Sequence, residues 1–284
     1  DVYKRQLSEV LITLGIVGVI TVLVMPMLLA DINERKYTSA RLKALKTIGE
    51  AIKNITLTEG IGNAENAEDF VENYLKKQII IAKTCKNNDL RSCGIETTSN
   101  AITTLSDSKT KITMPTKIGD LFAGIASSVV TDVNLTSYGF VMGNGYSVNL
   151  FYNKNCLSDK KEQHQGADRV CVNAIYDMNG VARPNEVGKD IGFVTVIYPD
   201  INSVAMAFDV HKQDAEEAEF DEADESCKKI DKEYAVPNKD ELLAIYMNAN
   251  LLGESTGWYW SSSSDAKGLV WYCLLYTSPS PRDA

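Results

Sequence analysis

The sequence predicts an α+β fold in which one long amino-terminal helix lies on a small antiparallel sheet. Three observations lead there. An uncharged apolar run passes into apolar residues at helical spacing, two strand-like runs flank an Asn-Gly pair, and two further strand-like runs follow. The chain has 284 residues, 44% hydrophobic and 24% charged, which is a globular composition with length enough for two domains. Its 29 Lys and Arg against 38 Asp and Glu leave a net charge of −9. That balance argues against a nucleic-acid-binding surface, which needs clustered positive charge. His164 and His211 are the two histidines, too few for a His-rich metal site or a His-centred triad.

The helix comes first. Residues 10–30 read VLITLGIVGVITVLVMPMLLA, 21 residues without a charge. At 1.5 Å per residue such a helix reaches roughly 30 Å, the hydrocarbon thickness of a bilayer. A secretory signal peptide has a shorter apolar core and a small-residue cleavage site after it. Here Tyr37, Arg41, Leu45, Ile48, Ile52 and Ile55 continue at intervals of three and four, one stripe of an amphipathic helix that Gly60 and Gly62 end. One helix of about fifty residues is expected, transmembrane over 7–30 and amphipathic over 31–60. A plain single-pass anchor explains the apolar run. It does not explain Glu9, because an acid at the edge of such a run is costly and functional by default.

Beyond the helix, Asn66 is placed to cap a second one over residues 67–82. Asp69 lies in its first turn, and Phe70, Val71, Tyr74, Leu75 and Ile79 share its buried face. Residues 84–116 read as loop with short extended pieces. Asn144-Gly145 between runs 138–143 and 146–152 signals a type I′ hairpin, and 170–176 and 193–198 read as strands. No repeat of 20–50 residues is visible.

Six cysteines in a chain anchored outside the cytoplasm read as disulfides. Local pairing of Cys85 with Cys93 and of Cys156 with Cys171 is the simplest connectivity. Zinc is the competing reading, and no Cys-x2-Cys pair supports it. Cys227 is left over; its partner is expected beyond the carboxyl end unless Cys273 supplies it. Asp177, Asn179 and Asp190 sit in a polar loop between two strands and offer oxygen ligands to calcium, the one cofactor the sequence raises. An Asx-rich turn that bonds its own backbone explains the same residues more simply. Residues 214–225 carry eight carboxylates in twelve positions and read as a solvated linker or helix face.

Leu7-Ser8-Glu9, the uncharged run behind it and Pro26 within it resemble the amino terminus of type IV prepilins and type II secretion pseudopilins. In that family a prepilin peptidase cuts before Phe-Thr-Leu-x-Glu and methylates the new terminus; Leu7 and Glu9 match the Leu and Glu. Arg5 and Gln6 stand where Phe and Thr belong. Residues 1–6 resemble translated sequencing adapter, as do 273–284, and both are expected to be foreign to the fold. The resemblance implies a pilin-like globular domain over 61–212. A segment over 213–272 combines the acidic linker with Tyr234-Ala235-Val236-Pro237-Asn238-Lys239-Asp240-Glu241-Leu242, then Trp258-Tyr259-Trp260-Ser261-Ser262-Ser263, then Trp271-Tyr272. These residues resemble a lectin-like module of bacterial surface adhesins, here partial. Trp258, Trp260 and Trp271 could stack on sugars or fill a core.

Motifs for the common enzyme chemistries are missing: there is no His-Glu-x-x-His, Gly-x-Ser-x-Gly or P-loop. The resemblance instead implies a structural filament subunit, a pseudopilin or minor pilin assembled through Glu9 and its helix. Its partners would be other subunits, the prepilin peptidase, the inner-membrane assembly platform and membrane lipid. Such a protein crosses the bacterial cell membrane once, with its carboxyl-terminal part periplasmic or extracellular. A membrane-tethered adhesin that binds glycans through its distal module is the alternative.

Overall fold

The computed structural model describes residues 2–106, 109–121, 134–157, 169–197, 220–230, 234–253, 258–264 and 270–274, without the side chains of 2–9, 26–34, 157, 220–221, 258, 260, 264 and 270–274. Helix α1 spans Val2–Thr58 and runs through two units, residues 1–41 and 42–284. In the first unit the helix carries exposed apolar side chains from Val10 to Met25, with Leu11 at 62% and Val22 at 73% of full exposure. Among the described residues no helix is long and apolar enough to cross a membrane. Residues 26–30, which complete the uncharged run of the sequence, have side chains outside that set.

In the second unit the helical stripe does what its period predicts. Leu45, Ile48, Ile52 and Ile55 are buried, joined by Ala44 and Ala51 on the same face, while Tyr37 and Arg41 are half-buried in the first. The helix stops where expected: the amide of Gly60 reaches back to the Ile55 carbonyl at 2.9 Å, with Gly60 at φ +82°, a conformation that favours glycine.

Asn66 caps α2 (Ala67–Asp69) through its side-chain oxygen, which accepts the Asp69 amide at 2.9 Å. The helix expected to reach residue 82 ends sooner. A π turn over Phe70–Tyr74 and a 3-10 turn over Leu75–Lys77 follow, and the chain is extended by β1 (Ile81–Cys85). Pairing with a neighbouring strand decides this, because the β-branched residues at 80, 81 and 84 suit an extended chain. Phe70, Val71 and Leu75 are buried as read, with Tyr74 and Ile79 packed against them.

The main sheet has five strands in the order β1-β4-β5-β6-β7, all neighbours antiparallel; β4 is Tyr138–Met142, β5 Ser147–Tyr152, β6 Val170–Asp177 and β7 Ile191–Ile197. The α+β class holds. Between β4 and β5 the turn differs from expectation. Met142 and Tyr146 close a three-residue loop, with the Met142 carbonyl accepting the Gly145 amide at 2.8 Å. Gly145 alone in that loop has positive φ, at +89°, so Gly143-Asn144 forms an ordinary turn and Gly145 supplies the left-handed residue. A type I′ turn would need Asn144 in the left-handed region as well. Two short strands, β2 (Ile102–Thr103) and β3 (Lys111–Ile112), pair within residues 84–116, read as loop with short extended pieces.

Both faces of this sheet are covered. Tyr138, Phe140, Val148, Leu150, Val172 and Val194 pack with the buried stripe of α1 and with Phe70 and Leu75. The Tyr152 ring stacks on Phe70 at 4.9 Å between centroids, and its hydroxyl donates to the Ile61 carbonyl at 2.7 Å. The opposite face meets Cys93, Ile95 and Ile118 and, from the carboxyl-terminal third, Leu243, Ala244, Met247 and Leu251. Those last residues belong to α4 (Lys239–Met247) and α5 (Ala249–Leu252). The boundary expected near residue 213 therefore does not separate the chain: residues 42–284 form one compact unit with α4 on the sheet. Helix α3 (Phe220–Ile230) takes the end of the acidic run, and residues 214–219 lie outside the described set. A last hairpin pairs β8 (Trp258–Ser264) with β9 (Val270–Leu274).

Ile52→Ala should lower unfolding free energy by about 3 kcal/mol in urea denaturation, through lost burial and a residual cavity. Leu42→Ala, one helix stretch away and 61% exposed, should change it by less than about 0.5 kcal/mol. Equal losses would contradict the assigned core face.

Candidate functional site

Leu7, Ser8, Glu9 and Pro26 lie on the backbone of α1, and their side chains fall outside the described residues. The apolar face that follows Glu9 is described, and it is bare from Val10 to Met25. A helix in water exposing Leu11, Leu14, Ile16, Val17, Ile20 and Leu23 together is unusual, since contiguous apolar surface marks a site of contact with protein or membrane.

The two cysteine pairs are disulfides as expected. Cys85–Cys93 spans 6.0 Å between Cα atoms and Cys156–Cys171 spans 5.1 Å. They staple opposite faces. Cys85 and Cys93 belong to the core shared with α4, whereas Cys156 and Cys171 belong to the core shared with α1. Cys227 is a free, half-buried thiol whose burial raises its pKa.

The polar loop between β6 and β7 folds on itself. Asp177 Oδ1 accepts the amides of Asn179 at 3.0 Å and Gly180 at 2.8 Å. Asp190 Oδ2 accepts the Asn185 amide at 2.8 Å and its Oδ1 the Glu186 amide at 2.7 Å. The Asn179 side chain donates to the Arg183 carbonyl at 3.1 Å. Three of the four carboxylate oxygens thus accept backbone amides. The geometry is that of the Asx-rich turn. Among the described residues no three His, Cys, Asp or Glu side chains gather as metal ligands. Burial pushes the Asp177 carboxyl up to about 7, the Asn179 amide opposes this, and the Asp190 charge adds to it.

On the same sheet face lies a network that sequence reasoning missed. Asn173 on β6 accepts from the Thr195 hydroxyl on β7 at 2.6 Å and donates to Asn248 at 2.9 Å. Asn248 donates to Thr195 at 3.0 Å and sits at the junction of α4 and α5. All three are buried. Buried and mutually satisfied, they fix where α4 docks on the sheet. One signal was available in Asn238-Lys239-Asp240-Glu241, whose ends form a capping box: Asn238 Oδ1 accepts the Glu241 amide at 2.9 Å and Glu241 accepts the Asn238 amide at 2.7 Å. Arg169 adds an ion pair to Asp240 at 3.1 Å.

The tryptophan hairpin is tied to the start of α4. The Ser262 amide donates to the Pro237 carbonyl at 2.9 Å and the Lys239 amide to Ser263 Oγ at 3.1 Å. Its register sets Trp258 opposite Leu274 and Trp260 opposite Tyr272. The side chains of Trp258, Trp260 and Trp271 lie outside the described residues. Comparison with protein-family models, with curated proteins and with solved structures returns no match.

Asp190→Ala should destabilise the fold by about 2 kcal/mol, since two partly or fully buried amides lose their acceptor. Thermal melts in millimolar calcium and in chelator should coincide, because a bound ion would raise the melting temperature by mass action. A calcium-dependent shift would contradict the self-bonded turn.

Proposed function

We propose that this chain is a structural subunit, a pseudopilin or minor pilin, of a bacterial type II secretion pseudopilus or type IV pilus. The observation that carries the reading is the bare apolar face of α1 from Val10 to Met25, headed in sequence by Leu7-Ser8-Glu9. Before assembly the uncharged run over 10–30 lies in the cell membrane as a single transmembrane pass, with lipid covering its apolar face. After assembly the helices of neighbouring subunits cover it instead. The part from Leu42 onward stands outside the cytoplasm, and its two disulfides suit an oxidising compartment there. A prepilin peptidase and an inner-membrane assembly platform are the partners this path requires.

Glu9 has a physical role in the same scheme. A carboxylate at the edge of an apolar helix is expensive unless paired, and residues 10–30 hold no base to pair it. The amino terminus of a neighbouring subunit supplies the positive charge. In a bundle of low dielectric that pair is strong, and it sets the axial step between subunits.

The decisive experiment expresses the chain behind a prepilin leader with Gly-Phe-Thr in place of Lys4-Arg5-Gln6, in a bacterium with a working assembly machine. Glu9→Leu should insert and fold as the parent does, since the helix only becomes more apolar. It should be lost from sheared filaments and from cross-links to assembly partners by at least about tenfold, the worth of one such pair at roughly 1.4 kcal/mol. Assembly equal to the parent's would remove the role given to Glu9, and absence of the parent itself from filaments would remove the filament reading and favour a tethered adhesin.

A further inference from the structure

Two Asn-Gly pairs sit in loops of the main sheet, Asn144-Gly145 between β4 and β5 and Asn179-Gly180 between β6 and β7. Such a pair is reactive, because a glycine nitrogen meets little hindrance when it attacks the side-chain carbonyl carbon of the asparagine before it. Whether the attack happens in a folded chain depends on how the two groups are held. The two loops hold them differently.

At the first pair the asparagine side chain curls over its own backbone. The Tyr146 amide donates to Asn144 Oδ1 at 3.2 Å, an Asx turn that lays the carboxamide over the peptide joining Asn144 to Gly145. That donor serves the oxygen on which negative charge gathers when Cγ is attacked, so it stabilises the intermediate too. Asn144 and Gly145 are both exposed, and a Cβ built on Gly145 would meet no atom within 4 Å. Water and a changing backbone therefore have room. One restraint opposes the attack: the Gly145 amide donates to the Met142 carbonyl at 2.8 Å and must leave it. It does so at an exposed hairpin tip, where local opening costs least.

At the second pair both reacting groups are tied down. The Asn179 carboxamide nitrogen donates to the Arg183 carbonyl at 3.1 Å, and the Gly180 amide donates to Asp177 Oδ1 at 2.8 Å. Gly180 is buried, with the Gly94 carbonyl oxygen 3.2 Å from the place a Cβ would take.

We propose that Asn144 is a self-modification site, which passes in the folded protein through a cyclic imide to aspartate and isoaspartate, while the fold protects Asn179. The Gly145 nitrogen bonds to Asn144 Cγ, the Cγ–Nδ2 bond breaks, and the Gly145 amide proton leaves with Nδ2 as ammonia. Water then opens the ring. Attack at Cγ restores the ordinary chain as aspartate, whereas attack at the main-chain carbonyl leaves isoaspartate. Either product adds a carboxylate to the hairpin tip. Isoaspartate also inserts a carbon into the three-residue loop that sets Val141 opposite Ser147.

Incubation of the intact chain in mildly alkaline heavy-oxygen water, followed by peptide mapping and enzymatic methylation of isoaspartate, tests this. Position 144 should gain both the label and isoaspartate. Asn179 should convert at least about tenfold more slowly, the effect of roughly 1.4 kcal/mol on its barrier. In denaturant the two sites should convert at similar rates. Asn144→Gln, which keeps an amide but needs a larger ring, should remove the signal at 144. An Asn144 that persists, aspartate there without isoaspartate, or equal rates at the two sites of the folded chain would overturn the proposal. A difference that survives denaturation would overturn it as well, since the fold would then not be its cause.

Discussion

Strands β5 and β6 bury every residue they contain, on both faces. An antiparallel sheet usually wets one face and shows it as alternation; these two strands have no wet face, so two separate layers must be brought to them. That requirement organises the rest of the unit. The carboxyl-terminal part of α1 with the turns after Asn66 supplies one layer. Helices α4 and α5 with the Cys85–Cys93 loop supply the other. Each disulfide then closes a connection on a different face. Cys85–Cys93 ties its loop to β1, and Cys156–Cys171 ties the segment after β5 to β6.

Polar groups on the second face give that layer its position. Apolar contact alone would let a short helix such as α4 slide, since burial is non-directional. The bonds among Asn173, Thr195 and Asn248 reward one placement, and any other leaves buried amides unpaired. Asn149 and Asp177 continue the polar stripe toward the loop that Asp190 closes. The first face has a different character: its buried residues are apolar or tyrosine, with the Tyr152 hydroxyl donating to the Ile61 carbonyl and the Tyr138 hydroxyl to Glu72. α1 can thus commit its stripe from Leu45 to Ile55 to the sheet, while its residues from Val10 to Met25 stay uncovered within their own unit. That division of one helix into a part that builds the head and a part with nothing of its own to bury against underlies the filament proposal.

The legible parts of the sequence were those with a period or a local partner. The α1 stripe was readable because four apolar residues recur at three and four, and the disulfides because each pair closes a short loop. The cap at Asn66 was readable from its residue type. The helix after it was read too long, since local pattern could not show that residues 81–85 would pair with β4. Asn144-Gly145 located the hairpin but not its turn, because Gly143 lengthens the loop by one residue. The Asx-rich turn was readable from Asp177, Asn179 and Asp190 by residue type, but not which amides each carboxylate accepts. The docking of α4 was hidden for a similar reason. Its capping box lies in the sequence, but its surface is chosen by Asn173 and Thr195, more than forty residues away.

Native-state hydrogen exchange tests most directly whether the two-faced sheet makes one cooperative structure. Amides of α4, from Leu242 to Met247, should exchange only with those of β5 and β6, at the same free energy and the same denaturant dependence, because both share one core. If α4 instead exchanges through an opening of its own while β5 and β6 stay protected, the second layer is an appendage and the sheet does not depend on it.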